Sequence, residues 1–390
     1  MSHEVFTKIE ASGPFIAEES AAGDRLGRLP DDVAKKMKDI GVVRMLQPAD
    51  FGGYEADPRD FLNAVMDIGN HCPSAGWVAG VVGVHPWELA FNDRRLQEEV
   101  WGSDPDTWVA SPYAPSGTAT RVDGGYIVNG HWKFSSGTDH CDWVVLGASV
   151  PGEEGSPVAM LHVMLPRGDY EIVEDSWNVI GLDGTGSKDI VIRDQFVPEY
   201  RTLDLFKVMS GEAPTEAGRH QPLYQLPWST MFPCAVSAGL VGIAEGVLRH
   251  AIEYQQGRTS ALGVSQASDS YSRTTIGEAA ADIRSSRIQL VHDVGEMYDA
   301  LCAGHEVTLP QRVACRRDQV RVAWRAAKAA DEVFTVCGGN AIRLDKPLQR
   351  FWRGMHAGLQ HGIFVAGPIY DDAAGMLMGF KPSGPSAMTI

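Results

Sequence analysis

Two changes of hydrophobic period divide this chain, and they constrain its fold more than any single motif does. Residues 29–100 carry apolar side chains at helical spacing, residues 108–205 carry short β-rich runs, and helical patterning returns beyond residue 221. Short strands that follow one another without intervening helices indicate an antiparallel β domain rather than a parallel sheet. With 390 residues to place, two or three units sharing a large core are expected.

Local signals agree with this division. Pro30-Asp31-Asp32 opens a helix whose apolar positions are Val33, Met37 and Ile40, and Gly41 stops it. Gly52-Gly53 breaks the chain, and a second helix runs from Pro58 towards Gly69 with Phe61, Ala64, Val65 and Ile68 on one face. Residues 75–90 are apolar almost throughout, so that helix is expected to be buried on nearly all sides. The runs at 126–128, 143–146, 159–165 and 190–192 read as strands, separated by turn formers such as Asp123-Gly124-Gly125 and Pro151-Gly152. Residues 209–221 form a polar connector. Four long helical pieces are expected from there to about residue 367, the clearest at 271–303 and 312–336, with a loop at 257–268. The fold class is therefore α+β: an N-terminal helical domain over residues 1–107, a central β-barrel-like domain over 108–208, and a C-terminal helical bundle domain over 209–390.

A formal net charge of −16 argues against a nucleic-acid or anionic-membrane surface, since either needs a basic patch. No apolar run reaches membrane-span length and the N-terminus lacks a signal pattern, so a soluble, cytoplasmic protein is expected. Six cysteines are scattered with no CxxC pair among them, which reads as buried free thiols; no metal site is expected. No glycine-rich phosphate loop follows a strand, and neither an HExxH nor a GxSxG string occurs. His356 and His361 are five apart on an expected helix, which turns them away from each other.

Two regions are crowded with side chains that are costly to bury idly. His131-Trp132-Lys133-Phe134-Ser135-Ser136-Gly137 offers rings for stacking and hydroxyls for polar ring atoms, or else it is a turn with an aromatic corner. Gly181-Leu182-Asp183-Gly184-Thr185-Gly186-Ser187 can wrap an anion or simply link two strands. By composition alone, His85 within Gly83-Val84-His85-Pro86-Trp87 reads as a core histidine, as does His361, and Arg258 reads as a helix-end cation.

Taken in order, a set of strings resembles the acyl-CoA dehydrogenase superfamily over essentially the whole chain. They are Gly76-Trp77, Val82-Gly83-Val84-His85 with Trp87, Gln97-Glu98-Glu99-Val100-Trp101-Gly102, Ser111-Pro112-Tyr113-Ala114-Pro115, Asp123-Gly124-Gly125-Tyr126, Gly181-Leu182 with Gly184-Thr185-Gly186-Ser187, and Gln349-Arg350-Phe351-Trp352-Arg353. Within the superfamily the likeness is to the two-component flavin-dependent monooxygenases. It is nearest to oxygenases acting on the secosteroid phenol of bacterial steroid degradation, and more distant to p-hydroxyphenylacetate hydroxylase oxygenases.

The resemblance implies the acyl-CoA dehydrogenase fold with a C-terminal four-helix bundle, a homotetramer, and ortho-hydroxylation of a phenol through a flavin C4a-hydroperoxide. The cofactor it implies is reduced FMN, with FADH2 as the alternative. Oxygen is the co-substrate, and a separate NAD(P)H:flavin reductase is the partner. It makes His85, Ser111 and His361 catalytic, with His85, Ser111 and Tyr113 meeting the phenol. Trp77, Trp132, Ser135, Ser136, Arg258, Gly338 and Gly339 become flavin contacts, Ser136 beside the N5 edge. The alternative is a dehydrogenase or nitroalkane-type oxidase holding FAD tightly. Against it, the position of the dehydrogenases' catalytic glutamate, nine residues after Arg353, is Gly362 here, so that base is missing.

Overall fold

The computed structural model describes residues 3–152, 159–259, 263, 265–383 and 390. Its first element, helix α1 (Glu4–Leu26), lies where the sequence reading placed none. Its buried face is Val5, Ile9, Gly13, Ile16, Ser20 and Gly23. Small residues fill half of those positions at the correct spacing, so the helix buries a stripe that has almost no hydrophobic signature.

Helix α2 (Asp31–Ile40) ends at Gly41 in the left-handed region, φ 85°, as expected. Helices α3 (Pro58–His71), α4 (Pro73–Leu89) and α5 (Arg94–Trp101) follow, and all 17 residues of α4 are buried. Close approach makes this complete burial feasible. A Cβ on Gly76 would stand 2.3 Å from the Gly69 Cα, so only glycine lets α4 lie directly against α3.

Eight strands form one sheet: β1 (Val109–Ala110), β2 (Gly117–Val122), β3 (Gly125–Ser135), β4 (Trp143–Val150), β5 (Ala159–Pro166), β6 (Glu171–Val173), β7 (Lys188–Pro198) and β8 (Thr202–Asp204). The order is β6-β7-β3-β2-β4-β5-β8, with β1 pairing off the path to β4. Pairing is antiparallel except at β4, which runs parallel to both β1 and β2. Trp132 wedges this sheet: it is fully buried beside Gly117 and Gly130, and its indole N–H donates to the Gly147 carbonyl at 2.7 Å.

Helix α6 (Leu205–Ser210) runs into the expected polar connector, which itself contains α7 (Glu212–Glu216). The bundle comprises α8 (Trp228–Gln256), α9 (Ser270–Cys302), α10 (Leu309–Cys337) and the shorter α11 (Pro347–Gly358), with α12 (Ala366–Leu377) lying on α10. Within the expected loop at 257–268, residues 260–262 and 264 lie outside the described residues. Helix α8 is apolar and long enough to cross a membrane, yet 89% of its apolar window is buried in this fold. Five cysteines are buried as expected, but Cys302, at the end of α9, is exposed.

The wedge predicts that Gly117→Val, whose Cβ would lie 2.0 Å from the Trp132 ring, costs at least ~2 kcal/mol of stability. A urea unfolding midpoint equal to that of the parent protein contradicts it.

Candidate active site

Helix α4 delivers His85 into the gap between the helices and the sheet with no exposed surface. Its Nδ1 lies 2.5 Å from the Val109 carbonyl, and its Nε2 lies 2.6 Å from the Ser111 hydroxyl. A carbonyl can only accept, so Nδ1 carries the hydrogen, Nε2 is a bare lone pair, and Ser111 donates to it. Burial pushes the His85 pKa down to about 4, which keeps the ring neutral. The Ser111 hydroxyl thus occupies the one lone pair that His85 has to offer.

Tyr113, two residues on, stacks on His162 with ring centroids 4.5 Å apart and meets His85 edge-on at 5.4 Å. Phe232 of α8 closes the same side, 5.0 Å from the Tyr113 ring. Beneath them, Glu88 accepts from His162 Nδ1 at 2.5 Å and from the Trp228 indole at 3.2 Å. Neither Glu88 nor His162 was singled out from sequence, although each carries a signal. Glu88 is the one acidic residue in α4, and His162 stands alone in the apolar run of β5.

A second cluster surrounds Trp77 and His361, whose rings lie 6.0 Å apart; Phe232 is also 6.0 Å from His361. The expected helix ends at Gly358, so His361 stands beyond it as the cap of the next turn, its Nδ1 accepting from the Ile363 N–H at 3.3 Å. Burial first, and then the Arg316 charge, lower its pKa to about 4, so its hydrogen resides on Nε2. Arg316 is itself buried. It donates to the Ile363 carbonyl and to Gln319, its Nε has no partner, and no carboxylate pairs with it among the described residues.

Ser136 ends a hydrogen-bond chain whose direction is fixed. Thr185 donates to the Leu182 carbonyl, Ser187 must then donate to Thr185, and Ser136 to Ser187, each at 2.7 Å. The Trp77 indole donates to Ser136 at 3.2 Å. Ser136 has therefore spent its hydrogen and can offer a ligand only a lone pair. Ser135, beside it, is fully buried and its hydroxyl has no partner.

The remaining expected contacts fall elsewhere. Trp132 is the wedge described above, with its only polar atom already bonded, so it has no edge to offer a ring. Arg258, Gly338 and Gly339 do come together: the guanidinium donates to the Cys337 carbonyl at 2.7 Å and crowds Gly338. Yet they stand at the far end of α8. From Phe232 to Gln256 that helix rises about 36 Å.

Comparison with known proteins gives this geometry its setting. Residues 234–366 match the family described as Acyl-CoA dehydrogenase, C-terminal domain. A pigment production hydroxylase of Rhodococcus erythropolis is 52% identical over 388 residues, covering 99% of each chain. HsaA, the oxygenase subunit of a flavin-dependent monooxygenase from Rhodococcus jostii (strain RHA1), is 43% identical over 91% of this chain and 93% of its own. The oxygenase component of an FADH2-dependent resorcinol hydroxylase from Rhizobium sp. (strain MTP-10005) is 30% identical over 92% and 90%. The solved structure of the 3-HSA hydroxylase from Rhodococcus sp. RHA1 superposes with a TM-score of 0.94 at 39% identity, covering 100% of this chain and 99% of that one.

The two buried histidines set a pH dependence. Both stay neutral in the folded protein down to about pH 4, whereas an unfolded histidine takes up its proton near 6.5. The unfolded chain binds more protons between those values, so stability falls as pH drops from 6.5 towards 4, by on the order of 3 kcal/mol per histidine. NMR titration should show neither ring protonating between pH 8 and 5; a midpoint near 6.5 for either contradicts the assignment.

Proposed function

The chain belongs to the family of oxygenase components of flavin-dependent monooxygenases. On that footing we propose that it hydroxylates a phenol beside its hydroxyl group, using oxygen and reduced flavin supplied by a separate NAD(P)H:flavin reductase. The direction of hydrogen bonding at Ser136 carries this reading. The N5 position of a reduced flavin bears a hydrogen and that of an oxidised flavin does not, so a hydroxyl that can only accept favours the reduced form. The resemblance puts Ser136 at that edge.

The surrounding residues fit such a group. Trp77, Phe232 and His361 offer aromatic faces, Ser135 Oγ is a buried hydroxyl without a partner, and Arg316 is a buried cation lacking a carboxylate. A planar ring that becomes anionic on reduction suits that set. When bound, reduced flavin supplies the electrons and the oxygen-activating carbon. Trp77, Ser136 and His361 would hold it, the His361 Nε2–H as a donor beside the reacting face. At the other end Ser111 accepts the phenol's proton while passing its own to His85 Nε2, which leaves the ring more electron-rich. Tyr113 lines the phenol's side. The substrate class in this reading is a secosteroid phenol or a related aromatic.

Arg258, Gly338 and Gly339 stand too far along α8 to reach the same flavin as His361. In this reading they meet the phosphate of a flavin held by a second copy of the chain, in a homotetramer. Exposed Trp324, Ile342, Leu344, Val365 and Leu377 offer apolar surface for that contact.

Anaerobic titration with reduced and oxidised FMN and FAD tests the cofactor and ranks the two flavins. We expect reduced flavin to bind at least ~10-fold tighter, the worth of about one hydrogen bond. Ser136→Ala should narrow that ratio. So should Thr185→Val, because Ser187 then regains a hydrogen to turn towards Ser136. Equal affinity for both redox forms, or reduction of bound FAD by substrate alone, favours the oxidase reading and removes this one. In single turnovers with oxygen, His85→Ala and Ser111→Ala should each hydroxylate ~100-fold more slowly while binding reduced flavin normally; unchanged rates take both residues out of the proton path.

A further inference from the structure

Glu88 has no part in the proton path just described, yet it lies one helical turn after His85 on α4, and positions three apart share a helix face. Donors from two directions converge on it: His162 from β5 at 2.5 Å and the Trp228 indole from α8 at 3.2 Å. No lysine or arginine pairs with it among the described residues, and His162 is its one titratable ion-pair partner. A carboxylate buried this deeply is costly, and neutral donors offset the cost without cancelling the charge.

His162 does not cancel it either. Its Nδ1 faces a carboxylate and so carries a hydrogen, while its Nε2 is buried with no partner. A second hydrogen there would strand a charged N–H donor, which costs more than a bare lone pair. The Glu88 carboxylate thus accepts from His162 and Trp228, with no lysine or arginine beside it among the described residues.

We infer that Glu88 is a positioning residue for proton transfer: its charge steadies the imidazolium that His85 becomes when a phenol's proton reaches it through Ser111. The inference rests on the reading that a phenol meets Ser111. The protons balance: the phenol's O–H bond breaks towards Ser111 Oγ as the Ser111 O–H bond breaks towards His85 Nε2. A phenolate and an imidazolium result, with no change in total charge. The groups facing His85 are the Val109 carbonyl, Ser111 and Tyr113 from the strand side, His162 from β5, and Glu88 from its own helix. Of these, Glu88 alone is negative. Burial lowers the basicity of His85 most; the Val109 carbonyl and the Glu88 carboxylate raise it, and charge on His162 would lower it.

The test uses 2,6-difluorophenol, whose two ortho positions are blocked and whose ¹⁹F shift reports its ionisation. It is bound to the chain loaded with reduced FMN under nitrogen, and its ionisation is read at one fixed pH near neutrality. The phenolate-to-phenol ratio of the bound molecule should be about tenfold higher in the wild-type protein than in Glu88→Gln, since the internal transfer takes up no proton from solution. The double variant Glu88→Gln with His162→Gln, in which two amides keep the hydrogen bonds, should match Glu88→Gln and gives a second uncharged version. His162→Gln alone retains the carboxylate and should follow the wild type. If both uncharged versions ionise the bound phenol to the same extent as the wild type, the inference is overturned while the functional reading stands. A wild-type protein that binds no phenol overturns that reading, and the inference with it.

Discussion

A single backbone carbonyl sets the chemistry of the His85 end of this site. The Val109 oxygen, 2.5 Å from His85 Nδ1, admits only one tautomer of a ring that has no access to water. The lone pair on Nε2 follows from that, and so does the orientation of Ser111. The contact exists because α4 is packed on every side and β1 runs parallel to β4, off the main strand order. Removing the close glycine approach between α3 and α4 would move the helix, the histidine and its tautomer together. The hydroxyl relay at Ser136 works in the same way, with the Leu182 carbonyl fixing the direction of three hydroxyls in turn.

A carboxyl and a guanidinium lie buried at the two ends of the site: Glu88 one turn after His85, and Arg316 behind His361. Neither has an ion-pair partner of opposite permanent charge among the described residues. Stability alone does not explain such an arrangement, since an apolar pair of similar volume would cost less to bury. In the proposed function such a pair favours proton withdrawal at the His85 end and an anionic ring at the His361 end.

Much of the frame was legible in the sequence. The period changes near residues 105 and 205 match the passage from helix to strand and back, and the unbroken apolar run of α4 correctly implied complete burial. Helix α1 was not legible, because its buried stripe is built from glycine and serine as much as from valine and isoleucine. At the site, the resemblance drew attention to His85, Ser111, Ser136 and His361, and the fold brings each into one of two neighbouring clusters. Their hydrogen-bond directions depend on carbonyls distant in sequence and could not be read from spacing. Trp132 looked like a stacking surface because aromatic residues near glycines suit either a ligand or a wedge; only its neighbours Gly117 and Gly130 decide for the wedge. Glu88 and His162 escaped notice because each is unremarkable until α4 and β5 are packed together.

The most direct measurement is the source of the oxygen in the product. The enzyme, reduced flavin and a phenol are mixed with ¹⁸O2 in ordinary water, and the product is weighed by mass spectrometry. A flavin-dependent oxygenase places one ¹⁸O atom in each catechol formed. Product carrying oxygen from water, or hydrogen peroxide with the phenol returned unchanged, would contradict the account.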